Sequence, residues 1–160
     1  MLLLTFMVGK ELYGLESREV LEVVPWVDSR PVPLAPPYIM GLFNYRGLMT
    51  PLIDLSALIT GQPSKPHFST RIVVAGYTHA ELGRKPLGLL TEGVTATQKC
   101  SKEDLQPATV QIGNAAWLGE ILVLPDKAVQ CIRITDLLSP ELKQLLYSEA
   151  ASSGSTNEGA

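Results

Sequence analysis

The side chains in this chain that could do chemistry are few and scattered. There are two histidines, His67 and His79, and two cysteines, Cys100 and Cys131. Each histidine lies in a polar stretch without a neighbouring Cys or second His, so a solvated loop histidine is the simpler reading than a metal ligand or general base. Cys100 ends one expected strand and Cys131 lies inside another, which suits small buried hydrophobes. The acids Asp54, Glu92, Glu120, Asp126 and Asp136 stand on separate turns, where capping or solvation explains each; two could meet as a carboxylate pair, but nothing in the sequence selects which. No GxxxxGK[ST] loop, GxGxxG turn, GxSxG elbow or HExxH pair is present. The expectation is a protein with no catalytic residue, no cofactor and no metal.

One residue stands out against that background. In Gly41 to Leu55, GLFNYRGLMTPLIDL, the segment Asn44-Tyr45-Arg46-Gly47 lies between two apolar runs and reads as a tight β-turn, with Asn44 at its entry and Gly47 free to take positive φ. Turn chemistry accounts for Asn44 and Gly47. It does not account for Arg46, which is either a solvated arginine or a group kept for a partner.

The elements that must carry this turn are strands. Short apolar runs recur at Leu2 to Val8, Leu12 to Leu15, Gly41 to Phe43, Leu48 to Ile53, Ile72 to Tyr77, Leu87 to Thr91, Leu118 to Leu124 and Val129 to Ile134, separated by Gly and Pro, a mainly β pattern of sandwich or barrel type. Ile72-Val73-Val74-Ala75 is apolar at consecutive positions, which predicts a strand covered on both faces, as between two small barrels packed on one core. Pro51 cannot donate to a ladder and is expected at an edge or bulge. Brief helical turns are expected at Glu16 to Val20 and Asp54 to Ile59. Ser101 should cap another turn, with Asp104 in capping-box position. The last helix should start at Ser139 and Pro140 and present Leu142, Leu145 and Leu146. Residues 1–147 then form one folding unit, and 148–160, which has nothing to bury, forms a disordered tail.

Composition sets outer bounds. A chain of 160 residues is one ordinary domain, able to bury about 68–70% of its unfolded surface. Its formal charge of −3 and pI near 5.4 give no basic field for nucleic acid. No apolar run approaches the roughly 20 residues of a membrane-spanning helix, and Met1 to Val8, without preceding basic residues, reads as a first strand rather than a signal peptide. Two isolated cysteines fit a reducing, cytoplasmic compartment.

The 41–55 segment resembles the hallmark of the CheW-type coupling proteins of bacterial chemosensory arrays, a pattern with glycine, asparagine, arginine-glycine, proline and a final Asp-Leu. Gly41, Asn44, Arg46, Gly47, Pro51, Asp54 and Leu55 match it in register. Tyr13-Gly14-Leu15 with Val20, Glu22 and Val23, the proline-rich Pro33 to Tyr38, Leu87 to Val94, and Leu118-Gly119 through Leu138 are similar to further parts of the family, so the likeness covers residues 2 to 147. Tyr45-Arg46-Gly47, Leu87 to Leu90 with Glu92, and Val129 to Arg133 look most like its Wsp surface-sensing subclass. There are departures: Tyr45 replaces a leucine, Glu92 stands near a common aspartate, and Gln106-Pro107-Ala108 stands where a basic residue often precedes prolines.

The resemblance implies the CheW-like fold, two five-stranded SH3-like β-barrels sharing a core, with short helical turns and a C-terminal helix. It also implies a non-catalytic adaptor whose partners are a chemoreceptor cytoplasmic tip and the regulatory domain of a CheA-type histidine kinase, with no nucleic acid and no direct membrane insertion. By the same resemblance Val20, Glu22, Asn44, Tyr45, Arg46 and Gly47 face the receptor, and Glu22 is the ionic partner of Arg46. Glu22 could equally be a charge on a solvated strand face, and Val20 a core residue. The competing readings are a standalone SH3-like protein- or ligand-binding module and a small enzyme using a carboxylate pair at the barrel junction.

Overall fold

The run Ile72-Val73-Val74-Ala75 is fully buried at all four positions, with 0% exposure each. Alternate side chains of a strand point to opposite faces, so this strand must be covered on both. Val73 and Ala75 belong to one apolar cluster and Ile72 and Val74 to another. The computed structural model describes residues 1–79, 83–107 and 115–148.

In chain order the strands are β1 (Leu2–Val8), β2 (Glu11–Glu16), β3 (Val20–Pro25), β4 (Ile39–Tyr45), β5 (Leu48–Asp54), β6 (Arg71–His79), β7 (Gly83–Thr91), β8 (Gly93–Lys99), β9 (Leu105–Gln106), β10 (Leu118–Val123) and β11 (Ala128–Ile132). They form a six-stranded sheet, β8-β1-β2-β11-β10-β9, and a five-stranded sheet, β3-β6-β7-β5-β4. The sixth strand, β9, is only two residues long and is the one addition to the expected five and five.

Three cores result. The shared core lies between the sheets and takes Phe6, Val8 and Leu15 from the first, and Ile53, Val73, Ala75, Leu87 and Leu89 from the second. A second core lies inside the five-stranded sheet, with Phe43, Leu52, Ile72, Val74 and Leu90. The third lies inside the six-stranded sheet, with Leu3, Cys100, Leu122 and Val129. Gly88 is where β7 meets Phe43 most closely: a Cβ there would lie 2.4 Å from the ring, so only glycine lets the second core close.

The five-stranded sheet is rolled into a barrel. Its edge strands β3 and β4 are brought together by the chain beyond β3, where Arg30 and Leu42 form a bridge, Arg30 N donating to Leu42 O at 2.7 Å and Leu42 N to Arg30 O at 2.8 Å. Gly41 makes this closure possible. Its φ is +135°, and an added Cβ would stand 2.0 Å from the Arg30 carbonyl oxygen. Pro51 sits in β5, between β7 and the edge strand β4 rather than at an edge itself, but β5 pairs with β7 only from Leu52 onward, so Pro51 has no ladder partner on that side.

The helical elements follow their capping residues. Ser17–Glu19 is a single 3-10 turn. The helix α1 (Leu55–Thr60) starts at Asp54, whose carboxylate accepts from the N–H groups of Ser56 and Ala57, and stops at Gly61 with φ 79°. Ser101 and Asp104 form the expected capping box. A second helix, α2, is seen over 140–148; Leu142 N donates to Ser139 Oγ at 3.2 Å. Leu146 and Tyr147 of α2 enter the shared core, and the Tyr147 ring stacks on Tyr77 at 6.0 Å. Leu142 packs beside them and Leu145 is half-buried. Residue 148 is still helical, and the expected tail otherwise falls on 149–160, outside the described residues.

Three strands stand outside the apolar runs of the sequence, for physical reasons. β3 follows the 3-10 turn directly, and its half-buried positions include the charged Glu22 while the apolar Leu21 and Val23 are exposed, so its residue types do not mark a covered face. β8 exposes Thr95, Ala96 and Thr97 and has no apolar run to announce it. β9 is too short to carry a pattern. His79, expected in a loop, ends β6 opposite Gly83.

Candidate functional site

The β4–β5 hairpin turns on two residues, Arg46 and Gly47, between the paired Tyr45 and Leu48. Both central residues have positive φ, 51° and 85°, the pattern of a type I′ turn that suits the right-handed twist of a hairpin. Gly47 has open space around its Cα, so it is kept for its backbone angle rather than for room. Arginine in the left-handed region is uncommon, and its presence there directs the side chain. Asn44 is the last residue but one of β4 rather than a turn residue; its Oδ1 accepts from Gly47 N at 2.8 Å and so caps the turn.

The tip reaches back across the barrel seam to β3. Glu22 Oε2 accepts from Tyr45 Oη at 2.9 Å and from Arg46 Nε at 3.1 Å, and lies 2.9 Å from Arg46 Nη2. The Arg46 guanidinium carbon also stands 5.7 Å from the centre of the Tyr45 ring. Tyr45 packs on the second core, its ring 6.4 Å from that of Phe43. The side chains of Arg46 and Glu22 are 72% and 34% exposed. The cluster is therefore a charged, solvent-facing clasp on a half-buried aromatic ring.

Five of the six residues expected at a docking surface are brought together here: Glu22, Asn44, Tyr45, Arg46 and Gly47. Val20 is not. The irregularity between Val20 and Glu22 places Val20 opposite Ala75, against the shared core, and Glu22 opposite Val74, on the side of the second core. Sequence reasoning assigned Glu22 to Arg46 but missed the Tyr45 hydroxyl; the signal was a phenol where an apolar leucine is usual.

The hydrogen bond from Tyr45, followed by that from Arg46, holds the Glu22 carboxyl below its ordinary value of 4.5, and the Glu22 bond correspondingly raises Arg46. Burial, then the Glu22 bond, raises the Tyr45 phenol. Because the folded-state value of Glu22 is depressed, the clasp's contribution is complete above the ordinary carboxylate range and is lost as pH falls through the lower folded value. A carboxyl titration followed by NMR should show Glu22 ionising below the exposed glutamates, with the Tyr45 and Arg46 signals moving in step with it. An ordinary Glu22 midpoint would contradict the clasp.

Elsewhere the chemistry is sparse. A cavity of about 630 Å³ opens at the six-stranded sheet between Leu3, Leu105, Ile132 and Ile134. Its rim mixes Glu16, Glu19 and Glu120 with Arg18, Lys102 and Arg133. Glu16 is engaged by Arg18 at 2.6 Å, and burial, followed by the nearby Glu16 charge, raises Glu19. Cys131, also on the lining, is pushed up to about 11 mainly by burial, which keeps it a thiol rather than a nucleophile near neutrality. Among the described residues no group of three or more His, Cys, Asp or Glu is placed to hold a metal ion. No helix among them is long and apolar enough to cross a membrane.

This geometry can be set beside known proteins. Over 105 residues the chain is 30% identical to the chemotaxis protein CheW of Rhizobium meliloti, a match covering 66% of this chain and 64% of that protein. Over 151 residues it is 26% identical to the chemotaxis protein CheW of Klebsiella aerogenes, covering 93% of this chain and 88% of the relative. The crystal structure of the scaffolding protein TtCheW from Thermoanaerobacter tengcongensis superposes with a TM-score of 0.76 at 27% identity, covering 86% of this chain and 87% of the other. The model of the CheW-like domain matches residues 2–141, and with the two-sheet fold and shared core in agreement, this chain belongs to the CheW-like domain family.

Proposed function

We propose that this protein is a non-catalytic coupling protein that links the cytoplasmic tip of a chemoreceptor to the regulatory domain of a CheA-type histidine kinase, on the cytoplasmic side of the membrane. The observation that carries the reading is the Glu22–Arg46 pair at an exposed hairpin tip, the position at which the family pattern sets a receptor-facing arginine. Its relatives' names, chemotaxis protein CheW and scaffolding protein, support the same role. An arginine fork suits such a contact because its planar donors engage carboxylates and carbonyls in a fixed direction.

Coupling of this kind needs no reaction. It needs different affinities for two arrangements of receptor and kinase, so that one is favoured. Individual contacts of about 800 Å² per partner suffice where neighbouring contacts raise the effective concentration of the next. The kinase regulatory domain is expected to share the fold and to dock pseudo-symmetrically through a sheet edge. Within this reading the Wsp-like features point to a surface-sensing pathway that controls cyclic-di-GMP; adjacent genes for a receptor, a hybrid kinase and a diguanylate-cyclase response regulator would support that output, and flagellar neighbours would oppose it.

The test is a binding experiment with a soluble chemoreceptor cytoplasmic fragment. Arg46→Glu sets two carboxylates against each other across the seam and should lower affinity at least tenfold. Adding Glu22→Arg restores an opposite-charge pair in reversed order and should recover part of the loss. Wild-type affinity in the Arg46→Glu variant would overturn the reading, and absence of any binding by the wild-type chain would favour a standalone binding module instead.

A further inference from the structure

We infer that Tyr45 is a positioning residue for the docking surface: its hydroxyl holds Glu22 independently of Arg46, and so sets the direction in which the guanidinium fork meets a partner. The inference rests on the reading of the hairpin tip as a receptor contact and adds to it a residue that the general pattern, with leucine at this place, does not supply.

The members of the cluster differ in how firmly they are held. Arg46 is on the turn with most of its side chain in water, and an ion pair so exposed holds its partner weakly. Glu22 is on an edge strand beside a chain irregularity. Tyr45, by contrast, has its ring seated on the second core next to Phe43 and offers its hydroxyl 2.9 Å from Glu22 Oε2. A hydrogen bond to a charged acceptor from a packed donor is the stronger and better-directed of the two attachments. Glu22 therefore stays in place whether or not Arg46 is engaged with it.

That arrangement has a consequence for the partner. Both Arg46 contacts with Glu22 go to Oε2, through Nε and Nη2, and both side chains keep surface open to solvent. The surface thus offers a donor from the fork and an acceptor from the carboxylate. A receptor group that accepts from arginine, such as an Asp or Glu side chain or an exposed carbonyl, can draw the fork away from Glu22 without leaving that carboxylate unpaired. With leucine at 45 the same movement would strip Glu22 of its only attachment in the cluster.

Tyr45→Phe tests this because it keeps the ring and its packing and removes only the hydroxyl. Two measurements are made on the intact chain. In the free protein, the Glu22 carboxyl titration should move up toward ordinary glutamate in Tyr45→Phe while the melting temperature stays close to wild type. With the soluble chemoreceptor fragment, Tyr45→Phe should bind about three- to tenfold more weakly, a loss consistent with one charge-assisted hydrogen bond. An unchanged Glu22 titration overturns the inference. So does a shifted titration with wild-type affinity in Tyr45→Phe when Arg46→Glu has lost binding. If Arg46→Glu also binds like wild type, the docking reading fails, and the Glu22 titration alone then decides whether Tyr45 positions that carboxylate.

Discussion

Gly41→Ala is expected to destabilise the protein by about 3 kcal/mol or more, a fall in Tm of roughly 6–12 °C for a chain of this size. The cause is the barrel seam. The new Cβ would occupy space 2.0 Å from the Arg30 carbonyl oxygen and 2.6 Å from its carbon, both backbone atoms, at a φ that side chains rarely adopt. No rotamer change relieves a clash with main chain. Either Arg30 withdraws, breaking its two hydrogen bonds to Leu42, or β4 shifts against β5. Urea and thermal melts of the variant measure the effect; a melting temperature within a degree or two of wild type would show that the bridge is not needed to close the barrel.

Asp54→Ala should be nearly as costly, about 3–4 kcal/mol, for a different reason. Asp54 is 3% exposed and its carboxylate is saturated: Oδ1 accepts from Ser56 N at 3.1 Å, Ala57 N at 3.3 Å and Ser64 Oγ at 2.6 Å, and Oδ2 accepts from Ser64 N at 2.8 Å. Alanine would remove the cap of α1 and leave the buried Ser64 donors without an acceptor, and the 61–66 loop would lose its tie to the barrel. Asp54→Asn keeps one acceptor oxygen and should lose less. Equal stability of the alanine and asparagine variants, by chemical denaturation, would contradict this account of the site.

These two residues alter how the 41–55 pattern is understood. Gly41 serves the seam, Pro51 the start of the β5–β7 pairing, Asp54 the cap of α1, and Leu55 the shared core. Asn44 and Gly47 shape the turn. Only Arg46 is left with a side chain that the fold itself does not consume, which is why it stood out once the turn had been accounted for.

Much of the fold was legible because it is local. Short apolar runs gave most of the strands, and the consecutive apolar residues of β6 announced a strand shared between two cores. Caps at Asp54, Ser101 and Ser139 marked helical starts, since a side chain that satisfies a backbone donor is visible in sequence. What could not be read was produced by contacts between distant segments. β3 and β8 carry no apolar run that fixes their bounds, and the closure at Gly41 depends on Arg30, eleven residues earlier. At the site, Arg46 and Glu22 were legible through resemblance, whereas the roles of Tyr45 and Val20 turned on an irregularity in β3 that no periodicity reveals.

The double-faced strands have a mechanical meaning for an adaptor. In β5, which begins at the Arg46 tip, Leu52 lies in the second core and the adjacent Ile53 in the shared core, with both fully buried. Well-packed interiors yield little to load and pass displacement on. A push on the hairpin tip is therefore met by both cores together. The hairpin then acts as the arm of a lever with the shared core as its fulcrum, so a load applied at the tip would be carried toward the six-stranded sheet rather than absorbed in the hairpin.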